Sequence, residues 1–111
     1  MSLRTVRVNE LIHEEVGNIL AKDVILDGNY LITITTVETS RDLRHSTIRY
    51  SVLPDSAVKK AEEFLKEVVG EVQYILNRRL KMHPIPRLEF VYDPREKEAA
   101  HIEKLLEITR K

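Results

Sequence analysis

From Thr47 to Leu53 the chain alternates without a break: Ile48, Tyr50 and Val52 are apolar, while Thr47, Arg49 and Ser51 are polar. An extended strand converts such a period of two into one apolar and one wet face. A sheet built on that strand has only one side to bury, so the helices must stack on that side alone. Leu88, Phe90 and Tyr92, set against Arg87, Glu89 and Val91, repeat the pattern. Leu31 to Thr39 is β-branched almost throughout, which suits a pleated surface better than a helix.

The remaining segments follow a helical period. Val8, Leu11, Ile12, Val16, Ile19 and Leu20 form one apolar stripe, predicting a helix from about Thr5 to Lys22. Asp27-Gly28-Asn29 reads as a turn, and Ser40 to Ser46 as a polar hairpin loop in which Ser40 and Asp42 accept backbone N–H groups. Pro54-Asp55-Ser56 stops the strand and offers Asp55 or Ser56 as a helix cap. A long stripe then runs from Ala57 to Leu80 across Gly70, with Glu62 and Lys66 paired on its solvated side, until Pro84 and Pro86 end it. Asp93-Pro94-Arg95-Glu96 opens a last helix whose buried side is Ala99, Ile102, Leu105, Leu106 and Thr109.

The expected architecture is α+β: a two-layer sandwich in the order α-β-β-α-β-α, with a three-stranded mixed sheet and helices on one face. The passage between the last two strands is long enough for a crossover, and the strand order stays open. Gly70 marks a kink in the long helix, a close approach of another backbone, or tight packing on the sheet.

Length and composition narrow the class. At 111 residues the chain fits a single domain over 1–111. It has no cysteine, hence no disulfide or thiolate metal site, as suits a reducing cytoplasm. Its apolar runs are far too short for a membrane span. The 18 Lys and Arg balance 18 Asp and Glu, yet the signs are segregated. Glu10, Glu14, Glu15, Asp23 and Asp27 against Lys22 make residues 8–29 acidic. Arg41, Arg44 and Arg49 against Asp42 make residues 40–50 basic. Between 73 and 88 stand Arg78, Arg79, Lys81 and Arg87 with no acid, plus His83. Phosphate binding needs such local cation density.

Catalytic and metal motifs fail on spacing. His13-Glu14 begins like a zinc helix, but Gly17 stands where the second ligand belongs. Ser40, Asp42 and His45 share too short a loop to aim a base at a nucleophile. No catalytic residue, metal or cofactor is expected. On the long helix, Tyr74, Asn77, Arg78 and Lys81 fall opposite Val72, Ile75, Leu76 and Leu80, with His83 and Arg87 following. Cations for phosphate and planar groups for stacking or base edges are what irregular RNA favours. Charge counting adds Arg41, Arg44 and His45 to the candidate surface.

Three stretches carry a family likeness: Arg7-Val8-Asn9, Val37-Glu38-Thr39-Ser40-Arg41-Asp42-Leu43, and Pro86-Arg87-Leu88-Glu89-Phe90-Val91-Tyr92-Asp93. In this order they resemble the ribosome-binding factor A family, small-subunit maturation factors with a type II KH-like fold. That family replaces the GXXG phosphate clamp of KH domains with a kink on alanine-x-glycine. Here Val68-Val69-Gly70 stands at that place, with valine for alanine, and Ser46 stands where alanine is common. A monomer in the cytoplasm is expected, and the resemblance implies no enzymatic activity. It implies binding to the immature 30S ribosomal subunit near the ends of 16S rRNA, and help with late processing, notably in the cold. Val68, Val69 and Gly70 would then form the kink, and Arg78, Arg79 and Lys81 the basic helix after it. The alternatives are a protein-interaction or dimerisation module using the open sheet face or an edge strand, and a small enzyme with a concave pocket. Arg49, Arg87 and Glu89 on that face weigh against an apolar dimer.

Overall fold

β2 (His45–Leu53) is the middle strand of a three-stranded sheet, with β1 (Leu31–Thr39) antiparallel on one side and β3 (Arg87–Tyr92) parallel on the other. A parallel partner cannot follow a hairpin, so the chain crosses back through α2 (Val58–Arg79) before β3 begins. In this computed structural model, residues 3–22 and 30–94 are described. They also include α1 (Leu3–Lys22), which lies over β1 while α2 lies over β3. The turn at Asp27-Gly28-Asn29 and the body of the last helix, including Ala99, Ile102, Leu105, Leu106 and Thr109, fall outside the described residues.

The wet-faced strand behaves as its alternation requires. Ile48, Tyr50 and Val52 are buried beneath the helices, with Thr47, Arg49 and Ser51 turned away from them. The inner face of β3 continues this layer, because Leu88, Phe90 and Tyr92 register with Ser46, Ile48 and Tyr50. Tyr50 meets Phe90 and Tyr92 edge-on, at ring-centroid distances of 6.4 and 5.9 Å, the geometry that sets a positive ring edge against a negative ring face. α1 closes the other half of the core with Val8, Ile12, Val16, Ile19 and Leu20, and α2 contributes Ala61, Leu65, Val72 and Leu76. Glu62 and Lys66 form the expected pair across one helical turn, 3.4 Å apart.

β1 departs from simple alternation. Ile32 and Ile34 face the helices opposite Val52 and Tyr50, but the next inward residue is Val37, opposite Ile48. A bulge between Ile34 and Thr36 inserts Thr35 and resets the phase, so that residues of both parities reach one core. Ser46, buried on the same inner face, shares a 2.8 Å hydrogen bond with the Thr39 hydroxyl. That bond satisfies a hydroxyl that burial would otherwise penalise.

Three sequence expectations need correction. β2 begins at His45, two residues before Thr47, which shortens the connecting loop to residues 40–44. The long helix is entered through a 3-10 turn over Asp55–Ala57, and its cap position is Ala57, with no side-chain cap bond. Finally, no break accompanies Val68-Val69-Gly70: α2 continues through them as one helix of 22 residues. A Cβ at Gly70 would meet no atom of the described residues within 4 Å. Among the described residues, neither tight packing nor a close backbone neighbour therefore explains the glycine, which costs up to ~1 kcal/mol relative to alanine in a helix.

Two measurements check this core. Ile48 is completely buried, so Ile48→Ala should lower unfolding free energy by about 2–5 kcal/mol in chemical denaturation. Burial, with smaller contributions from Glu62 and Tyr92, pushes the Tyr50 phenol up to about 12. The unfolded chain, with a phenol near ~10, ionises first, so stability is full below that pH and falls as pH rises towards the folded value. Tyr50→Phe should flatten this alkaline decline when denaturation is followed against pH.

Candidate nucleic-acid interface

Topology brings the basic segments to one end of the molecule. β2 leaves the hairpin at His45, and α2 runs back from the far end of the sheet towards that hairpin. β3 then starts at the same end, where His45 registers with Arg87 and the Arg87 N–H donates to the Arg44 carbonyl at 2.8 Å. Two charge clusters well separated in sequence thus become neighbours.

The hairpin is held by its own polar side chains. The Ser40 hydroxyl donates to Asp42 Oδ1 at 2.6 Å, and the same carboxylate accepts the Arg44 N–H at 3.1 Å. The Ser40 hydroxyl in turn accepts the His45 N–H at 3.1 Å. These bonds, led by that from Ser40, hold the Asp42 carboxyl below its usual range. Leu43 adopts a left-handed φ of 60°, costly for a residue with a Cβ, and its buried side chain anchors the turn. Ser40 and Asp42 are thus occupied in shaping the loop, and His45 takes part through its main chain. Arg41, Arg44 and the His45 ring remain exposed around it.

A residue that the charge pattern does not single out joins α2 to the approach to β3. The Gln73 amide donates from Nε2 to the Pro86 carbonyl and to Asn77 Oδ1, both at 3.0 Å, while its Oε1 accepts the Leu88 N–H at 2.8 Å. Each bond to main chain satisfies a group that burial would otherwise penalise. Beside this clasp lies a cleft of about 670 Å³. Gly70, Gln73 and Asn77 line its helical side, His83 and Arg87 its other side, over an apolar floor that includes Ile85. Gln73 could have been found by phase, since it sits between the buried and exposed stripes of α2, where a long amide can reach a neighbouring main chain.

The predicted cations do not all share this surface. Tyr74, Asn77, Arg78, Lys81, His83 and Arg87 are exposed, and among the described residues no carboxylate lies within 4 Å of Arg78, Lys81 or Arg87. Arg78 instead donates from Nη1 to the Tyr74 hydroxyl at 3.2 Å, its guanidinium carbon 5.8 Å from the ring centroid. Arg79 faces elsewhere: one residue is about 100° of helical rotation, which aims it at α1, where its Nη1 lies 4.0 Å from Glu15 Oε2. It helps join the helices and lies apart from the stripe of Tyr74 and Arg78. Arg49 likewise sits on the outer sheet face, 3.5 Å from Glu38. Among the described residues no group of three His, Asp or Glu could hold a metal ion, and no helix is long and apolar enough to cross a membrane.

Comparison with known proteins agrees with this architecture. The family model described as ribosome-binding factor A matches residues 4–106. A ribosome-binding factor A of Coxiella burnetii is 33% identical over 107 residues, covering 96% of this chain and 90% of the relative. One from Lacticaseibacillus casei is 35% identical over 114 residues, covering 100% and 97%. The crystal structure of ribosome-binding factor A from Thermus thermophilus superposes with a TM-score of 0.65 at 21% identity, over 79% of this chain and 94% of that one. A homology model of the Thermus thermophilus protein, fitted into a cryo-EM map of a 30S complex, gives 0.59 at 20% identity over 77% and 90%. Sequence and fold together make this chain a member of the ribosome-binding factor A family.

Proposed function

We propose that the chain is a non-catalytic assembly factor that binds the immature 30S ribosomal subunit through 16S rRNA, using the basic end of the molecule. The family is one of ribosome-binding factors and not of enzymes. A Thermus thermophilus relative of the same fold has been fitted into a map of its 30S complex. The observation that carries the reading is the convergence of Arg44, His45, Lys81, His83 and Arg87 around the hairpin, the exit of α2 and the start of β3. A chain with no net charge can hold a polyanion only if its cations gather on one flank and its acids stay off it. α1 keeps Glu10 and Glu14 exposed on the β1 side of the helical layer. Bound there, the protein assists late maturation and processing of 16S rRNA in the cytoplasm, a task most demanding in the cold, when misfolded RNA escapes slowly.

The interface makes two expected outcomes. Charge reversal at Arg78 and Lys81 together should abolish co-sedimentation with small subunits, while circular dichroism stays that of the wild type. Both residues are exposed and carry no structural ion pair among the described residues. Affinity for subunits should fall steeply with salt. Each phosphate-neutralising cation removed should lower the slope of log K against log salt by about 0.7 to 0.9. Retained co-sedimentation by the double reversal at ordinary salt would remove this end of the molecule from the footprint.

A further inference from the structure

We propose that Tyr74 and Arg78 form a stacking platform for an unpaired RNA base, with Gly70 keeping the space beside the ring open; this deepens the RNA-binding reading and rests on it. Tyr74 is 61% exposed, so its ring does not serve as a lid on the core. A tyrosine so placed would ordinarily sample several rotamers in water, but Arg78 restrains it. The arginine donates to the phenol oxygen at 3.2 Å and holds its guanidinium 5.8 Å from the ring centroid. A ring fixed before binding loses less entropy when a partner arrives.

Helical side chains lean towards the preceding turn, which for Tyr74 is the turn of Gly70, four residues earlier on the same face. Gly70 is exposed, and among the described residues no atom outside its own helical backbone lies within 4 Å of where a Cβ would point. Nothing among the described residues uses that space, whereas a planar group lying against Tyr74 would. Asn77, one turn further along the same face, is oriented by the hydrogen bond from Gln73 to its Oδ1, leaving its Nδ2 hydrogens to meet acceptors on a base edge. Bases inside a duplex already have both faces stacked, so this arrangement selects an unpaired nucleotide. Lys81, exposed two residues beyond the end of α2, follows to neutralise its phosphate.

The test uses the full chain and a uridine-rich RNA octanucleotide carrying one central 2-aminopurine, free and annealed to its complement. Wild-type protein should quench the fluorescence of the free strand on binding, as a base stacked on tyrosine does. Tyr74→Leu should abolish the quenching and weaken single-strand binding roughly tenfold or more, leaving duplex affinity unchanged. Tyr74→Phe should keep the quenching. Gly70→Leu, whose Cβ meets no atom of the described residues within 4 Å, should weaken single-strand binding while the thermal midpoint holds or rises. Equal binding of the free strand by Tyr74→Leu and wild type, or equal loss on strand and duplex, would overturn the platform while leaving the RNA-binding reading standing. Failure of the wild type to bind either RNA form would overturn both.

Discussion

β3 can pair parallel to β2 only after the chain has returned to the hairpin end of the sheet, and α2 is the return. That single pairing dictates where the basic residues lie. Its first bond, from the Arg87 N–H to the Arg44 carbonyl, ties the start of β3 to the hairpin, and the Gln73 amide ties the same stretch to α2. Three segments separated in sequence are thereby held together by hydrogen bonds to the main chain. The cations they carry need no attraction of their own to gather. Like charges would repel if free, so the backbone must impose their proximity, and it does so with neutral bonds that salt does not screen.

The same arrangement separates structural from available charge. Arg79 and Arg49 are set beside carboxylates, at 4.0 and 3.5 Å, whereas Arg78 is turned onto an aromatic ring. Exposed ion pairs of that kind contribute little to stability. Their effect here is on the surface field, because they neutralise Arg79 on the side of α1 and Arg49 on the outer sheet face, while among the described residues Arg78, Lys81 and Arg87 have no carboxylate within 4 Å. Stability comes instead from the layer of Ile48, Tyr50, Val52, Leu65, Val72 and Leu76, where apolar area leaves water.

Much of this is legible without coordinates. The alternation of Ile48, Tyr50 and Val52 requires a one-sided sheet, and the phase of Tyr74, Asn77 and Arg78 places them on an exposed stripe, whereas Lys81 lies beyond it because α2 ends at Arg79 and Leu80 is extended. Other features are less accessible, for distinct reasons. The bulge at Thr35 depends on registering Val37 against Ile48, which a single strand cannot reveal. Gln73 resembles any surface glutamine until Pro86 and Leu88 are brought opposite it by a tertiary crossover. Arg79 is hidden by its neighbours in a basic run, although it stands three residues after Leu76 and seven after Val72, on the buried stripe, so helical phase alone separates it from Arg78. Gly70 is a different case, since its reason lies in no contact within the described residues.

The central claim is that one end of an electrically balanced protein meets RNA, and cross-linking reads this most directly. The purified protein would be bound to immature small subunits, irradiated and digested, and the peptides bearing nucleotide adducts identified by mass spectrometry. The account predicts adducts on peptides spanning residues 41–45 and 74–87, with α1 unmodified. Adducts concentrated on α1 or on the outer face of β1 would contradict it.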